Sequence, residues 1–182
     1  MIPQLDTPRL MLRAFTQDDL DAYAAIMGDA DVARYIAPAP MTRDESWRSM
    51  ASSLGHWMLR GYGTWAVQVK ATGEMVGRVG MINPEGWPAL EIGWTLGRSA
   101  WGKGYATEAA EAAIRYAFAT QSVDRLISCI DPENTSSQKV AVRVGETRGE
   151  RTALRVAGKD YPVDIWFITR GEWRRRMTAG IG

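Results

Sequence analysis

The stretch WTLGRSAWGKGYATEAAEAAI, Trp94 to Ile114, runs from an apolar segment through a turn spaced by Gly102 and Gly104 into an alanine-rich helix. A helix start leaves backbone N–H groups without intrahelical partners, and the aligned peptide dipoles add partial positive charge there, so it attracts phosphate or pyrophosphate. Glycine at 102 and 104 removes the side chains that would hold a diphosphate away from those donors. Past the turn, Ala106, Ala109, Ala110, Ala113 and Ala117 recur at helical spacing and form a thin face that lets the helix lie close to a sheet. The same glycines also suit a tight strand-to-helix connection that holds no ligand, and spacing alone leaves both readings open. Two nucleotide signatures fit poorly. A Rossmann fingerprint needs G-x-G-x-x-G, where this chain has GKGYAT from Gly102, and no Walker loop G-x-x-x-x-G-K-[ST] occurs.

The elements that must position this turn can be read along the chain. Leu10, Leu12 and Ala14 alternate with Arg9, Met11 and Arg13, which predicts a half-buried strand over Pro8 to Phe15. Thr16 caps a helix from about Gln17 to Met27, with Asp18 and Asp19 in its positive first turn and Gly28 at its end. Thr42 heads TRDE, a capping-box spacing that predicts a second helix over roughly Arg43 to Arg60. Trp65, Val67 and Val69 alternate as a strand, KATGE turns the chain, Met75 to Ile82 returns, and Ala89 to Leu96 forms a third strand leading into the glycine turn. Three strands in succession suggest an antiparallel meander. After a helix from about Gly102 to Thr120 come a short apolar strand, Asp124 to Ile130, a helix opened by DPENTSS and running through Val144, and two closing strands around Gly158.

Length and composition bound the partners. The chain has 182 residues, 46% of them hydrophobic, enough for one sizeable core, so a single domain over 1–182 is expected. A formal net charge of +1 gives no whole-molecule field that would make nucleic acid or an anionic membrane the main partner, so any anion site is local. Cys129 is the sole cysteine and lacks zinc-type spacing, which suits a reducing compartment, with the cytoplasm as the expected location and no metal expected. Neither a signal peptide nor a membrane span is read from the sequence.

The order strand, two helices, three-strand meander, helix, strand, helix, two strands, with W-G-K-G-Y-A at the third main helix, resembles the GNAT superfamily of acetyl-CoA-dependent N-acetyltransferases. The resemblance covers nearly the whole chain. TPRLMLRAFTQDD, EIGWTLGRSAWGKGYATEA and DPENTSSQKV look like the branch that acetylates the N-terminal amines of ribosomal proteins. It implies a mixed α/β (α+β) fold, with a central, mostly antiparallel sheet of about seven strands flanked by about four helices. It also implies a V-shaped opening between the fourth and fifth strands, through which the donor's pantetheine passes. In the superfamily signature [QR]-x-x-G-x-[GA], the six places fall on Trp101, Gly102, Lys103, Gly104, Tyr105 and Ala106, and Trp101 departs from Gln or Arg in a way familiar within the branch. The backbone from Gly102 to Thr107 would hold the pyrophosphate, with Lys103 placed to add charge, and Leu96 and Gly97 would pair with the pantetheine like an added strand. Asn134 and Ser137 match the branch's N-x-x-S, where the Asn contacts the pantetheine and the Ser lies near the thioester sulfur. Both are also ordinary helix caps.

Acetyl transfer to an amine needs a base, because an ammonium has no lone pair and an alkylamine with a pKa near ~10 is mostly protonated at neutral pH. Glu91, in ALEIGWTL beside the expected acyl site, is the carboxylate of choice, since desolvation there would raise its pKa usefully. The alternative is a structural carboxylate paired with an arginine such as Arg78. A backbone N–H near Leu96 would stabilise the tetrahedral oxyanion. Many relatives protonate the leaving thiolate with a tyrosine, but counting from Asn134 that position is Ala141. Ser137, or water bound to it, becomes the weaker candidate. Glu146 stands where the family commonly has an aromatic.

Other residues have plainer readings. His56 in the second helix reads as structural, and Cys129 as a buried small hydrophobe. Trp47, Trp57, Trp65, Trp87 and Trp94 lie in segments that by the resemblance surround the acceptor, mostly as core or wall, where aromatic faces would also meet an ammonium. The basic RGEWRRRM reads as a solvated end, with ribosomal RNA contact a minor alternative, and edge strands leave a homodimer open. The expected partners are acetyl-CoA and an acceptor amine, either a protein N-terminus or a small molecule. The competing reading, motivated by the missing tyrosine, is a non-catalytic acyl-CoA-binding or regulatory module of the same fold.

Overall fold

Local signals account for most element boundaries in the computed structural model, which describes residues 1–156 and 158–180. The chain runs β1 (Leu5–Asp6), β2 (Leu10–Arg13), α1 (Leu20–Met27), α2 (Ala30–Ala33), α3 (Arg43–Arg60), β3 (Thr64–Val69), β4 (Met75–Ile82), β5 (Glu91–Leu96), α4 (Tyr105–Thr120), β6 (Arg125–Ile130), α5 (Thr135–Val144), β7 (Thr147–Val156), β8 (Lys159–Thr169) and α6 (Arg170–Thr178). The Thr42 hydroxyl accepts from the Glu45 N–H and the Glu45 carboxylate from the Thr42 N–H, while Gly61, at φ 75°, closes α3. That reciprocal cap contributes about 1 kcal/mol. A second box, Thr16 with Asp19, opens a single 3-10 turn (Gln17–Asp19) before α1, in place of the predicted α-helical start. Asp19 is buried there because both Arg13 guanidinium Nη atoms reach it at 2.8 Å, tying β2 to the helix.

All eight strands lie in one sheet of order β1-β2-β3-β4-β5-β6-β8-β7. Neighbours are antiparallel except β5 and β6. The mixed α/β class and mostly antiparallel sheet agree with the sequence reading. The counts differ, eight strands and six helices among the described residues, because β1 is a two-residue strand, α2 a single turn, and RGEWRRRM folds rather than fraying. That last segment is α6, opened by a Thr169–Glu172 capping box, with Trp173 buried. Its first residue, Arg170, donates to the carbonyls of Phe118 in the last turn of α4 and of Gln121 and Val123 just after it.

Two layers cover the sheet. On one face, Phe15, Leu20, Tyr23, Met27 and Met50 of the α1 and α3 side pack on Ala66 and Met75. On the other, Ala109, Ala110, Ala113 and Ala117 of α4 are fully buried against a core that includes Val79, Ile92 and Leu126. Methyl-sized side chains on that face let the helix axis approach the strands, as the alanine spacing predicts. Trp57 and Trp65 meet edge to face, with centroids 4.9 Å apart. Both are core residues, as expected of part of the tryptophan set, whereas Trp47 is half-exposed on α3. Among the described residues no helix is long and apolar enough to cross a membrane.

Candidate active site

The parallel neighbours β5 and β6 touch at one register pair, Glu91 with Ile127. The Ile127 N–H reaches the Leu90 carbonyl, and beyond Ile92 the strands part, giving the opening expected between the third meander strand and the strand after α4. Gly97 donates its N–H to the Val76 carbonyl at 2.9 Å. Strand alternation then turns the main-chain groups of Glu91, Gly93 and Thr95 towards β4, and those of Ile92, Trp94 and Leu96 towards the gap. The Ile92 carbonyl is taken by the Ser128 hydroxyl at 2.8 Å and the Leu96 carbonyl by the Trp101 indole N–H at 2.7 Å. Gly97 is committed at both ends, since its carbonyl also accepts from Ala100. Trp94 and the Leu96 N–H are left facing the gap.

Behind the gap lies the glycine turn. Gly102 and Gly104 both have left-handed backbones, at φ 73° and 79°, so α4 starts at Tyr105 rather than at Gly102. The left-handed conformation is a second reason for glycine beside the bare surface. Its first helical bond runs from the Glu108 N–H to the Gly104 carbonyl, and Gly104 offers no side-chain cap. The N–H groups of Tyr105, Ala106 and Thr107 therefore have no intrahelical partner. These features suit a diphosphate: unpaired donors, a dipole end, no obstructing Cβ, and an exposed Lys103 alongside. Sequence reasoning missed the brace that holds the turn. Arg9 donates from Nη1 to the Lys103 carbonyl at 2.8 Å and from Nε to Glu108 at 2.6 Å, while the Thr7 hydroxyl reaches the same carboxylate. TPRL at one end of the chain and Glu108 in the helix are complementary in charge, but nothing in their spacing pairs them.

In front of the gap a cleft of about 430 Å³ opens, lined among others by Glu91, Trp87, Trp94, Arg78, Cys129, Asn134 and Ser137. Glu91 is buried, accepting from the Trp87 indole N–H and from the Cys129 backbone N–H at 3.3 Å. Burial pushes its carboxyl up to about 7, against the pull of those donors and of the more distant Arg78 charge. Among the described residues Glu91 makes no ion pair with Arg78, so the arginine-paired alternative is not what the side chains do. Cys129 corrects the expectation of a buried hydrophobe. It is half-buried on the cleft wall beside Glu91, and burial together with that carboxylate pushes its thiol far up, leaving it protonated.

Asn134 caps α5 by accepting from the Ser137 N–H at 3.1 Å, and Ser137 Oγ accepts from the Trp94 indole N–H at 3.2 Å. Both residues thus serve as helix start and cleft wall at once. Ala141, at the position of the absent tyrosine, is fully buried. Glu146, just past Gly145, is buried too. Burial with the added charge of Glu91 pushes its carboxyl up to about 8, so the protonated Oε1 donates to Ser128 Oγ at 2.8 Å, whose own O–H goes to the Ile92 carbonyl, while Oε2 has no partner. His56 is locked: the Asn83 N–H donates to Nε2, so Nδ1 carries the proton and donates to the Tyr62 carbonyl. Among the described residues no cluster of three metal-ligating side chains occurs.

A sheet parted between two parallel strands, with a donor-rich helix start on one side and a desolvated carboxylate on the other, is the architecture of acetyltransferases. A solved acetyltransferase from Agrobacterium tumefaciens superposes with a TM-score of 0.81 at 30% identity, covering 93% of this chain and 96% of its own. Residues 9–147 match the acetyltransferase (GNAT) domain family, and the chain belongs to that family. An uncharacterized N-acetyltransferase of Bacillus licheniformis is 36% identical over 139 residues, 75% of this chain and 78% of the relative. The ribosomal protein uS5 alanine N-acetyltransferase of Escherichia coli is 27% identical over 191 residues, 98% and 90% of the two chains. The protein is accordingly an acyltransferase of a family whose donor is acetyl-CoA.

Proposed function

We propose that the protein moves the acetyl group of acetyl-CoA to a primary amine by direct attack, with Glu91 as the base. The observation that carries this reading is the buried Glu91 carboxyl at the mouth of the parted strands, held near neutrality by desolvation. Residues Gly102 to Thr107 hold the pyrophosphate through their free N–H groups, with Lys103 adding charge. The free main-chain groups of Trp94, rather than the engaged Gly97, pair with the pantetheine, and the Leu96 N–H meets its thioester end. Asn134 and Ser137 line its end. The amine passes its proton to Glu91 and its lone pair attacks the thioester carbonyl. The resulting oxyanion lies at the Leu96 N–H, and its collapse breaks the carbon–sulfur bond. The thiolate then takes a proton from Ser137 or from water bound to it, and the second proton shed by the acetylated nitrogen restores that hydroxyl through solvent.

Glu91 and Ser137 face opposite sides of β5, the first towards α3 and the second, through Trp94, towards α5. Amine and thiol are thereby handled from different faces, so the proton taken and the proton given do not compete for one group. The likeness to the uS5 enzyme supports a peptide N-terminus among the acceptors to be tried. Thiol release from acetyl-CoA, measured over parallel panels of ribosomal-protein N-terminal peptides and small amines, tests the function. Turnover lost in Glu91→Gln is expected. Donor binding without turnover on any acceptor would favour instead a non-catalytic acyl-CoA-binding module, the reading that the buried Ala141 supports.

A further inference from the structure

The acceptor side of the cleft contains a half-buried cation with no ion-pair partner among the described residues, Glu91 being a more distant counter-charge. Arg9, Arg13, Arg98, Arg148, Arg151 and Arg176 each meet a carboxylate within 4.0 Å. Arg78 is half-buried on the cleft floor, and among the described residues it forms no ion pair. Its one polar contact is a long 3.4 Å approach of Nη1 to Ser49 Oγ, a hydroxyl already engaged with Tyr23. A guanidinium taken partly out of water without a paired counter-charge is costly, and five rigid donors in a fork are matched best by a carboxylate.

The floor between Arg78 and Glu91 is apolar: the Ile82 side chain lies over Gly93, its Cδ1 2.7 Å from where a Cβ would stand, and Gly63 and Thr64 cover Gly80. Register pairs Arg78 with Thr95, Gly80 with Gly93, and Ile82 with Glu91, so on this face the cation row and the base row are separated by a row of two glycines. Arg78 and Ile82, the register partner of Glu91, are four residues apart, about 13 Å along the strand.

Resting on the proposed acetyl transfer, we propose that the acceptor is a primary amine bearing a carboxylate a few bonds away, the amine delivered to Glu91 and the carboxylate held by Arg78. A polyamine would bring a second cation to Arg78 and is selected against. The same chemistry is offered by a free amino acid and by a peptide whose second residue is acidic, and matched acceptors tell the two apart.

The test compares matched acceptors: amino acids against their amides, and peptides with Asp against Asn at the second position. In the wild type, kcat/KM for the acid is expected to exceed that for the amide by about 10- to 100-fold, the usual worth of a hydrogen-bonded charge. In Arg78→Met that ratio falls to near one. The ratio cancels any change in the base, because acid and amide share Glu91. Preference for Asp peptides over free amino acids would assign the source without changing the chemistry, whereas equal rates for acid and amide, with turnover intact, overturn the inference but leave acetyl transfer standing. Calorimetric binding of N-acetyl amino acids and their amides to the CoA-loaded protein reads the same site without turnover. Equal affinities there overturn it as well, even if no acceptor reacts.

Discussion

Trp94 on β5 donates its indole N–H to Ser137 Oγ on α5 at 3.2 Å, a bond that bridges the gap where β5 leaves β6. It uses one of the acceptor lone pairs of Oγ while leaving the O–H free to donate, as the proposed protonation of the departing thiolate requires. Ser137→Ala is expected to lower kcat by about 10-fold, short of the ~10²-fold or more that a matched general acid supplies, because serine is a poor acid and water can replace it. Trp94→Phe should reproduce part of that loss, with acetyl-CoA affinity little changed. Single-turnover kinetics with each variant check this. An unaltered chemical step in Ser137→Ala would remove the serine from the reaction.

Glu91 sets an acidic limb. A base acts only when ionised, so kcat/KM should fall as pH drops below about 7, the value to which burial raises this carboxyl. Glu91→Gln should abolish the limb and reduce the rate by roughly 10²- to 10⁴-fold. Trp87→Phe is the sharper variant. The Trp87 indole N–H stabilises the charged form, so its removal should move the limb to higher pH while leaving the plateau rate nearly intact. A pH profile of acetyl transfer that is identical in Trp87→Phe and wild type would contradict this placement of the proton.

How far the sequence could reach is clear from these two residues. Boundaries written in local chemistry were legible: the capping box at Thr42, the alternation of β3 and β4, the alanine face of α4 and the glycine turn before it. The candidate site was legible where a contiguous motif carried it, from Trp101 to Ala106 and at Asn134 and Ser137. What long-range packing decides was not. Arg9 braces the turn through Glu108, Trp94 reaches Ser137, and Glu146 is drawn to Ser128, each across a large sequence separation with no periodic signal. α6 escaped for a different reason. Only Trp173 of its residues is buried, so the segment shows no apolar stripe, and its polarity reads as a frayed end until Arg170 is seen binding the carbonyls after α4.

Two buried carboxyls make stability depend on pH. Glu91 and Glu146 are raised to about 7 and about 8 from ordinary values near 4.5. Between the unfolded and folded values the native state holds a proton that the unfolded chain has released. Stability therefore falls as pH rises above about 4.5, by up to about 1.4 kcal/mol per pH unit for each group, and the decline ends above the folded values. Glu146→Gln keeps the Ser128 hydrogen bond, removes the charge, and should make the protein more stable at pH 8 and flatten the slope. Denaturant midpoints for wild type and Glu146→Gln from pH 5 to 9 check the sign. A gap between the two that does not widen with pH would be inconsistent with a buried acid at that position.

The turn makes the most direct prediction about the donor. Gly102 and Gly104 have positive φ, and the two differ in what surrounds them: a Cβ at Gly102 would meet nothing within 4 Å, whereas one at Gly104 would lie 3.3 Å from Arg9 Nη2. Gly102→Ala therefore carries only the left-handed cost, about 1–2 kcal/mol, while Gly104→Val adds crowding against the arginine that braces the turn. If the free N–H groups of Tyr105 to Thr107 grip a diphosphate, either side chain intrudes where it sits. Acetyl-CoA affinity should then weaken by about 10-fold or more in Gly104→Val and less in Gly102→Ala, the usual scale for lost charge-assisted hydrogen bonds. Affinity for a phosphate-free acetyl-pantetheine thioester should change little in both variants. That contrast separates a lost phosphate contact from general loosening of the fold, since loosening would weaken both donors alike. Calorimetry with the two donors against the wild type and both variants makes the comparison, and undiminished acetyl-CoA binding in Gly104→Val would place the diphosphate elsewhere.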